Sequence, residues 1–531
     1  MFKLQYRKTD ILIVGGGIAG LRAAVSALEA GSKALVLAKG PRCSAGIGGF
    51  NAPVGSGDSV SLYYDDIIAS GRGLSQPELA RLLAEKSGEE MRWLESKGAE
   101  FDRTADGYDL LRPLGCTVPR LVHRKNITGS IEEKILLSEI ERMGGEVIND
   151  AFVLDLISDG ESVYGALAVI DGSLYAVTGR AVVLAAGGCG AIYPLTVYPK
   201  GICGDSYGMA ARAGAEMTDM EFMQFEPCCL LEPEALRGKG ISTTMLSAGG
   251  RLVNVSGEGV IEKYTDDPAN IQKGELSRAI YAESKATGGK PCYYDLTAMP
   301  AEEINAHCIF YEALCAQGYD PSKTKLPVMP AAHTFLGGVS VTADCRSSLK
   351  RLYAAGEAIG GLHGANRIGG CAGSEVLVFG AEAGRNAASE AQLTDAEFRL
   401  AEETAEKLAS GYSGDTVISR GDISAYVKEL QDVAVNDLGI IRNAELSALA
   451  EKSAAAMLER LSGASADDAA GLCELTGLRN MLLTVRMIAK ASGMREESRG
   501  VFFREDHPDT DPAFEKNIKM KYCGGILNAY Y

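Results

Sequence analysis

Four consecutive apolar residues, Ile11-Leu12-Ile13-Val14, run straight into Gly15-Gly16-Gly17-Ile18-Ala19-Gly20. This junction restricts the possible folds more than any other segment of the chain. A short uninterrupted apolar run suits a strand buried on both faces. The glycines after it allow a tight turn and a close approach of backbone to a ligand, and residues 17 to 29 read as a helix. Lys33 to Leu37 reads as the next strand. A strand, a glycine turn opening a helix and a second strand form the unit that seats a dinucleotide pyrophosphate on a helix N-terminus. The order therefore predicts a Rossmann-like α/β fold. An acidic residue normally ends the second strand of such a unit and holds a ribose. Ala38-Lys39 stands there instead.

At 531 residues the chain is expected to divide into two or three domains. A net charge of −17 argues against a nucleic-acid partner, whose phosphates need a basic surface. No run of about 18 apolar residues occurs, so no transmembrane segment is expected. The first strand begins within about ten residues of the start, which leaves no room for a signal peptide and implies a cytoplasmic protein. The 13 cysteines are scattered without any C-x-x-C spacing, so neither an iron–sulfur cluster nor another metal site is expected in this chain.

Further along, Gln76 to Ser96 and Ile131 to Met143 read as amphipathic helices. Val163 to Ile170 and Leu174 to Val177 read as a hairpin around Asp171-Gly172. Ala181 to Ala185 returns to the buried sheet and ends in Ala186-Gly187-Gly188. Residues 226 to 325 break the α/β rhythm, a helix follows from about Ser374 to Ala387, and Ala396 to Ser492 reads as several helices. The terminal stretch from Tyr522 to Tyr531 is apolar and aromatic, and either docks a partner or frays, with fraying the expectation.

Three blocks carry the remaining chemistry. They are Pro330-Ala331-Ala332-His333-Thr334-Phe335-Leu336-Gly337-Gly338, then Arg351 to Glu357, then Leu362-His363-Gly364-Ala365-Asn366-Arg367-Ile368-Gly369-Gly370. An arginine and a histidine among glycines suit a closed site in which a guanidinium grips a carboxylate with two parallel hydrogen bonds. With the N-terminal glycines, this order of blocks resembles the succinate dehydrogenase/fumarate reductase flavoprotein family, which includes L-aspartate oxidase. The resemblance spans nearly the whole chain. It implies a Rossmann-like FAD-binding domain in two parts (1–225 and 330–392), an inserted α+β capping domain (226–329), a C-terminal helical domain (393–495) and a tail (496–531). Asn436 to Arg442 and Arg495 to Gly500 resemble motifs of that helical domain, which single-chain fumarate reductases lack, so separate electron-transfer subunits are implied.

The resemblance also implies the cofactor and the residues that hold it. FAD is expected at Gly15, Gly16, Gly17, Ile18, Ala19, Gly20, Ala38, Lys39, Gly48, Gly49, Ala186, Gly187, Asp205, Glu357, Ala372 and Gly373. Many relatives attach FAD through a histidine ahead of a Gly-Gly pair, but no histidine precedes His123 here. Non-covalent FAD is therefore expected, and Cys43 is not expected to replace the histidine. Loss of that link in the family favours alkene reduction or oxidase work over succinate oxidation.

His333 and Arg367 match the family's carboxylate-binding pair. The other end of the substrate site departs from the pattern. The family's Gln-Phe-His-Pro is Gln224-Phe225-Glu226-Pro227, its Thr-Glu pair falls on Ser242-Thr243, and its proton-donating arginine falls near Lys273. Glu226, Ser242, Thr243, His333 and Arg367 are thus the expected substrate contacts, with Lys273, His333 and Arg367 as catalytic residues. A glutamate would repel a second substrate carboxylate and suits a hydroxyl, an amine or an imidazole. The expected activity is reduction of a 2-enoate other than fumarate, by an FAD enzyme working with an iron–sulfur or flavin electron carrier. The alternatives are an amino- or hydroxy-acid oxidase and a flavin subunit that only relays electrons. An oligomer is possible.

Overall fold

The computed structural model describes every residue except 1–2, 41, 43–45, 114, 126, 248, 267–270, 413 and 415, and the side chains of residues 244, 247, 306 and 307. Cys43 lies outside the described residues.

The apolar runs predicted to be buried strands build one parallel sheet. Its order is Leu352–Ala354, Ala181–Leu184, Ile11–Val14, Ala34–Leu37 and Glu146–Ile148. Ile11, Leu12, Ile13, Val182 and Val183 have no exposed surface, as expected of strands covered on both faces. Helix Ile18–Glu29 packs against helix Cys371–Ala388 through glycines that bring the backbones together. A Cβ on Gly380 would stand 2.6 Å from Ala19 O, and one on Gly384 would stand 2.0 Å from Ala23 O.

Beside this layer lies a second sheet of Leu4–Lys8, Ser173–Thr178, Val163–Ile170 and Phe152–Ser158. Its central hairpin turns on Asp171 (φ 48°) and Gly172 (φ 72°), the left-handed pair that a two-residue turn requires. Helix Asp395–Ser410 covers part of this sheet, with Ala401 and Ala405 against Ile157 and Tyr164.

The segment after residue 222 forms an antiparallel sheet ordered Met223–Leu230, Leu326–Phe335, Cys292–Asp295 and Arg251–Val253, with its own apolar core around Leu230, Tyr294 and Val328. Two irregularities in its first strand pair matter for the site. Gln224 faces Thr334 and Phe225 faces Ala332, so His333 is skipped in the ladder. Glu226 faces Ala331 and Cys229 faces Met329, so a second shift follows Glu226. Pro227 and Pro330 lie within that second shift, where a residue lacking an N–H costs no ladder bond. Bulges of this kind re-aim side chains beside active sites.

Helices Arg420–Asp437, Ala444–Arg460 and Ala469–Met494 follow. The last is a 26-residue helix whose Asn480 and Thr484 are fully buried. The C-terminus does not fray as expected. Lys519–Cys523 and Ile526–Tyr530 form a hairpin, and Met520 pairs with Met217 of a five-stranded sheet. Met520 and Ile518 are fully buried. That burial compensates the ordering entropy that usually leaves chain ends loose. No described helix is long and apolar enough to cross a membrane.

Candidate active site

Gly15 ends its strand at φ 120°, donating to Leu37 O at 2.9 Å. A Cβ there would overlap Ala185 O at 2.1 Å, and one on Gly20 would overlap Gly15 O at 1.9 Å. The turn is closed so tightly that only glycine fits. Gly17 caps the helix without any side-chain hydrogen bond, and among the described residues no atom beyond its chain neighbours lies within 4 Å of the position its Cβ would take. Gly48 and Gly187 likewise face open space. Glycines pressed on protein on one side and bare on the other form a cradle for a flat, anionic group at a helix N-terminus, where orphan N–H groups and the dipole favour a pyrophosphate. Ile18 and Ala19, in the first turn, are buried. The donor set fits FAD.

At the second strand's end Ala38 is buried and its N–H donates to Ile148 O. Lys39 Nζ reaches Asp205 Oδ2 at 2.8 Å and Gly201 O at 2.8 Å. Burial alone would lower the lysine's pKa, but the Asp205 carboxylate outweighs it and the net shift is upward. Asp205 Oδ1 accepts from Asn480 Nδ2 at 2.8 Å, and Asn480 Oδ1 accepts from Arg212 at 2.7 Å. A Cβ on Gly208 would stand 2.3 Å from Asn480 Oδ1. The C-terminal helices thereby brace the cofactor cradle. Sequence reasoning missed Asn480, because nothing near residue 480 signals a partner 275 positions away. Asn480→Ala is expected to cost about 1–3 kcal/mol. Calorimetric melting should show the larger loss of Tm in the FAD-loaded form.

On the other side of the cradle, Thr128 Oγ1 donates to Gly48 O at 2.7 Å and Gly49 pairs with His123. Ala186 N–H donates to Ser206 Oγ at 3.1 Å. Ala372 and Gly373 open the helix that follows Gly370, and a Cβ on Gly373 would meet Gly49 O at 2.6 Å. Glu357 lies half-buried against Gly188 and accepts from Phe335 N–H at 2.8 Å and from the Tyr198 hydroxyl. Burial pushes its pKa up to about 7 against these hydrogen bonds. Tyr198 is a second residue that no sequence motif marked.

The bulged strand pair brings together several of the residues expected to contact substrate. Glu226 Oε2 lies 2.6 Å from Lys273 Nζ and 3.9 Å from His333 Nε2. His333 Nε2 lies 3.2 Å from Arg367 Nη2. Lys273 is placed by a helix start. It is the first residue of helix Lys273–Ala286, whose start is fixed by reciprocal bonds between Gln272 and Glu275. Ser277 Oγ ties that helix to Phe225 O at 3.3 Å. Arg367 is held by its backbone, since Gln224 Nε2 donates to Arg367 O at 3.3 Å and to Asn366 Oδ1 at 3.2 Å. The buried Nε of Arg367 has no hydrogen-bond partner among the described residues. His363 takes part in this support through Glu375, 3.0 Å away, with both side chains buried.

Glu226 and Lys273 offset one another, and the Arg367 guanidinium is the surplus positive charge of this group. Burial would raise the Glu226 pKa, but Lys273 first, then His333 and Arg367, hold it below the usual carboxylate range. Burial lowers the His333 pKa to about 4, with Arg367 and Lys273 acting in the same sense and Glu226 opposing, so the imidazole is neutral at pH 7. Ser242 is exposed and Thr243 half-buried at the approach to the short helix Thr244–Ser247. A Cβ on the preceding Gly240 would stand 3.2 Å from Glu226 Cγ. The arrangement offers a guanidinium beside a neutral imidazole for anchoring an anion and, across from them, an ion-paired ammonium.

A family model described as the FAD binding domain matches residues 10–372, and one described as the fumarate reductase flavoprotein C-terminus matches 427–521. The chain belongs to the fumarate reductase/succinate dehydrogenase flavoprotein family. It is 32% identical to one subunit of the CoM/CoB fumarate reductase of Methanothermobacter marburgensis, covering 96% of both chains. It is 34% identical to L-aspartate oxidase of Caulobacter vibrioides, again over 96% of both. The FrdA chain of E. coli quinol fumarate reductase superposes with a TM-score of 0.89 at 27% identity, covering 99% of this chain and 97% of that one. Members of this family are FAD-dependent oxidoreductases, and so is this protein. FAD is its cofactor.

Proposed function

We propose that this protein reduces a carbon–carbon double bond beside a carboxylate, and that its acceptor is a monocarboxylate 2-enoate with a polar or aromatic far end. The Glu226–Lys273 pair opposite Arg367 and His333 carries this reading. Arg367 anchors the carboxylate through its guanidinium, and the neutral His333 beside it offers a hydrogen bond. Bound FAD, held without a covalent link, supplies hydride chemistry to one alkene carbon. Lys273 gives a proton from Nζ to the other, and Glu226 holds that Nζ in place. A second substrate carboxylate would meet an ionised Glu226, a repulsion of about 1–4 kcal/mol at 4 Å in a wet to partly buried site. Fumarate is disfavoured for that reason. Electrons come from a separate iron–sulfur or flavin protein. Supporting this, the chain carries the matched flavoprotein C-terminal segment, and the M. marburgensis relative is itself one subunit of its enzyme.

A second reading, oxidation of an amino acid, draws on the Caulobacter vibrioides relative and on Glu226 as a partner for a substrate amine. One experiment separates the two. The purified protein is photoreduced without air and mixed with fumarate, with a panel of 2-enoates including aryl acrylates, or with air, while flavin absorbance is followed. Rapid reoxidation by an enoate and not by fumarate is the expected result. Rapid reoxidation by fumarate would show that Glu226 and Lys273 tolerate a dicarboxylate. Reoxidation by air alone, with an amino acid reducing the flavin again, would establish the oxidase, and a response only to carrier proteins would mark a relay subunit.

A further inference from the structure

A cleft of about 490 Å³ opens behind the wall that carries Lys273 and Arg367. Gln272 and Gly274, which flank Lys273, and Asn366, which precedes Arg367, belong to its lining. Three guanidinium groups, those of Arg72, Arg278 and Arg499, line it as well. Arg499 is neutralised. Its Nε and Nη2 lie 2.7 and 3.0 Å from the Glu497 carboxylate, and its Nη1 is 2.6 Å from Arg72 O and 3.7 Å from Glu515 Oε2.

Arg72 and Arg278 are different. Among the described residues neither has a carboxylate within ion-pair distance, and neither guanidinium donates a hydrogen bond. Arg278 is half-buried and fixed by stacking, its guanidinium 4.4 Å from the Phe503 ring centroid. Glu275, one helical turn earlier, contributes some opposite charge, but its Oε2 is turned to the Gln272 N–H at 3.2 Å. Arg72 projects from a left-handed turn residue (φ 55°) whose carbonyl Arg499 clamps. In a chain of net charge −17, these two guanidiniums line one cleft with no carboxylate in ion-pair distance among the described residues. A partly desolvated guanidinium gains most from an anion that its planar fork can grip, a phosphate or a carboxylate.

We propose that this cleft binds an anionic group of a small molecule, a phosphate or a carboxylate, between Arg72 and Arg278. The group is either the remote end of the substrate or a free effector anion.

Calorimetric titration of the FAD-loaded protein with inorganic pyrophosphate decides whether the site exists, whatever the electron acceptor proves to be. The wild type should bind saturably. Arg72→Gln and Arg278→Gln should each weaken binding about tenfold or more with FAD content unchanged. No saturable binding in the wild type, or equal affinity in both variants, would overturn the proposal. If Arg278→Gln loses its FAD, the exposed Arg72 decides alone. The source of the anion follows from flavin reoxidation by the acceptor in the presence of pyrophosphate. A rise in KM alone assigns the cleft to the remote end of the substrate, and an unchanged KM assigns it to a separate effector.

Discussion

Lys273→Met should leave a protein that still holds FAD and is still photoreduced, yet is reoxidised by its enoate about 10³-fold more slowly. A positioned general acid contributes roughly 10² to 10⁴ in rate, and Lys273 is the one ammonium brought to 2.6 Å from Glu226 on the substrate side of the site. The substitution keeps most of the side chain's length and removes the ammonium group, its protons and its charge. It also strips Glu226 of its main stabilising charge, so the Glu226 pKa should rise. The stability cost should be small, on the order of 1 kcal/mol, because the lysine is about a third exposed and solvent screens the pair. An artificial one-electron acceptor serves as the control, and its rate should not change. Lys273→Arg should recover part of the lost rate. An enoate rate unaffected by Lys273→Met would remove Lys273 from the chemistry.

Arg367→Ala should lower kcat/KM by about 10² to 10⁴, the loss of one or two charge-assisted hydrogen bonds to a carboxylate. Most of the loss should fall on KM if the carboxylate is gripped equally in ground and transition states. Gln224 Nε2 holds the backbone carbonyl of residue 367 and the Asn366 side chain independently of the guanidinium, so the fold of the loop should survive. The variant has a second readout that a merely structural arginine would not move. Arg367 contributes to the depression of the His333 pKa from 6.5 to about 4, so its removal should raise that value, measurable by NMR titration of the imidazole. The folded state resists protonating His333 while the unfolded chain does not. The wild type therefore loses stability as pH falls from about 6.5 to about 4, and is insensitive to this group above 6.5. In Arg367→Ala that window should narrow from its acid side. An unchanged His333 titration would mean that the 3.2 Å contact between the two side chains is not kept in solution.

What could be read from the chain divides along one physical line. The parallel sheet, the glycine turn and the hairpin at Asp171-Gly172 depend on sterics and burial acting over a few residues. Those forces leave their mark as apolar runs, glycines and left-handed turn residues in the sequence itself. The family resemblance rests on the same local motifs. The replacement of a neutral side chain by Glu226, and of an arginine by Lys273, was visible as well.

The pairing of these two residues was not visible. They are 47 positions apart, and they meet because a strand shifts register after Glu226 while a helix begins at Lys273 and docks on the same strand. Asn480 supporting Asp205, Tyr198 beneath Glu357, and a C-terminal hairpin completing a sheet begun about 300 residues earlier are contacts of the same kind. Sequence alone determined where the backbone must turn, which strands are buried and which ionisable groups are available. Only the tertiary structure decided which charges face one another and that Arg72 and Arg278 line one cleft with no carboxylate in ion-pair distance among the described residues. A buried charge takes its meaning from the groups within a few ångströms, and chain order does not record that distance.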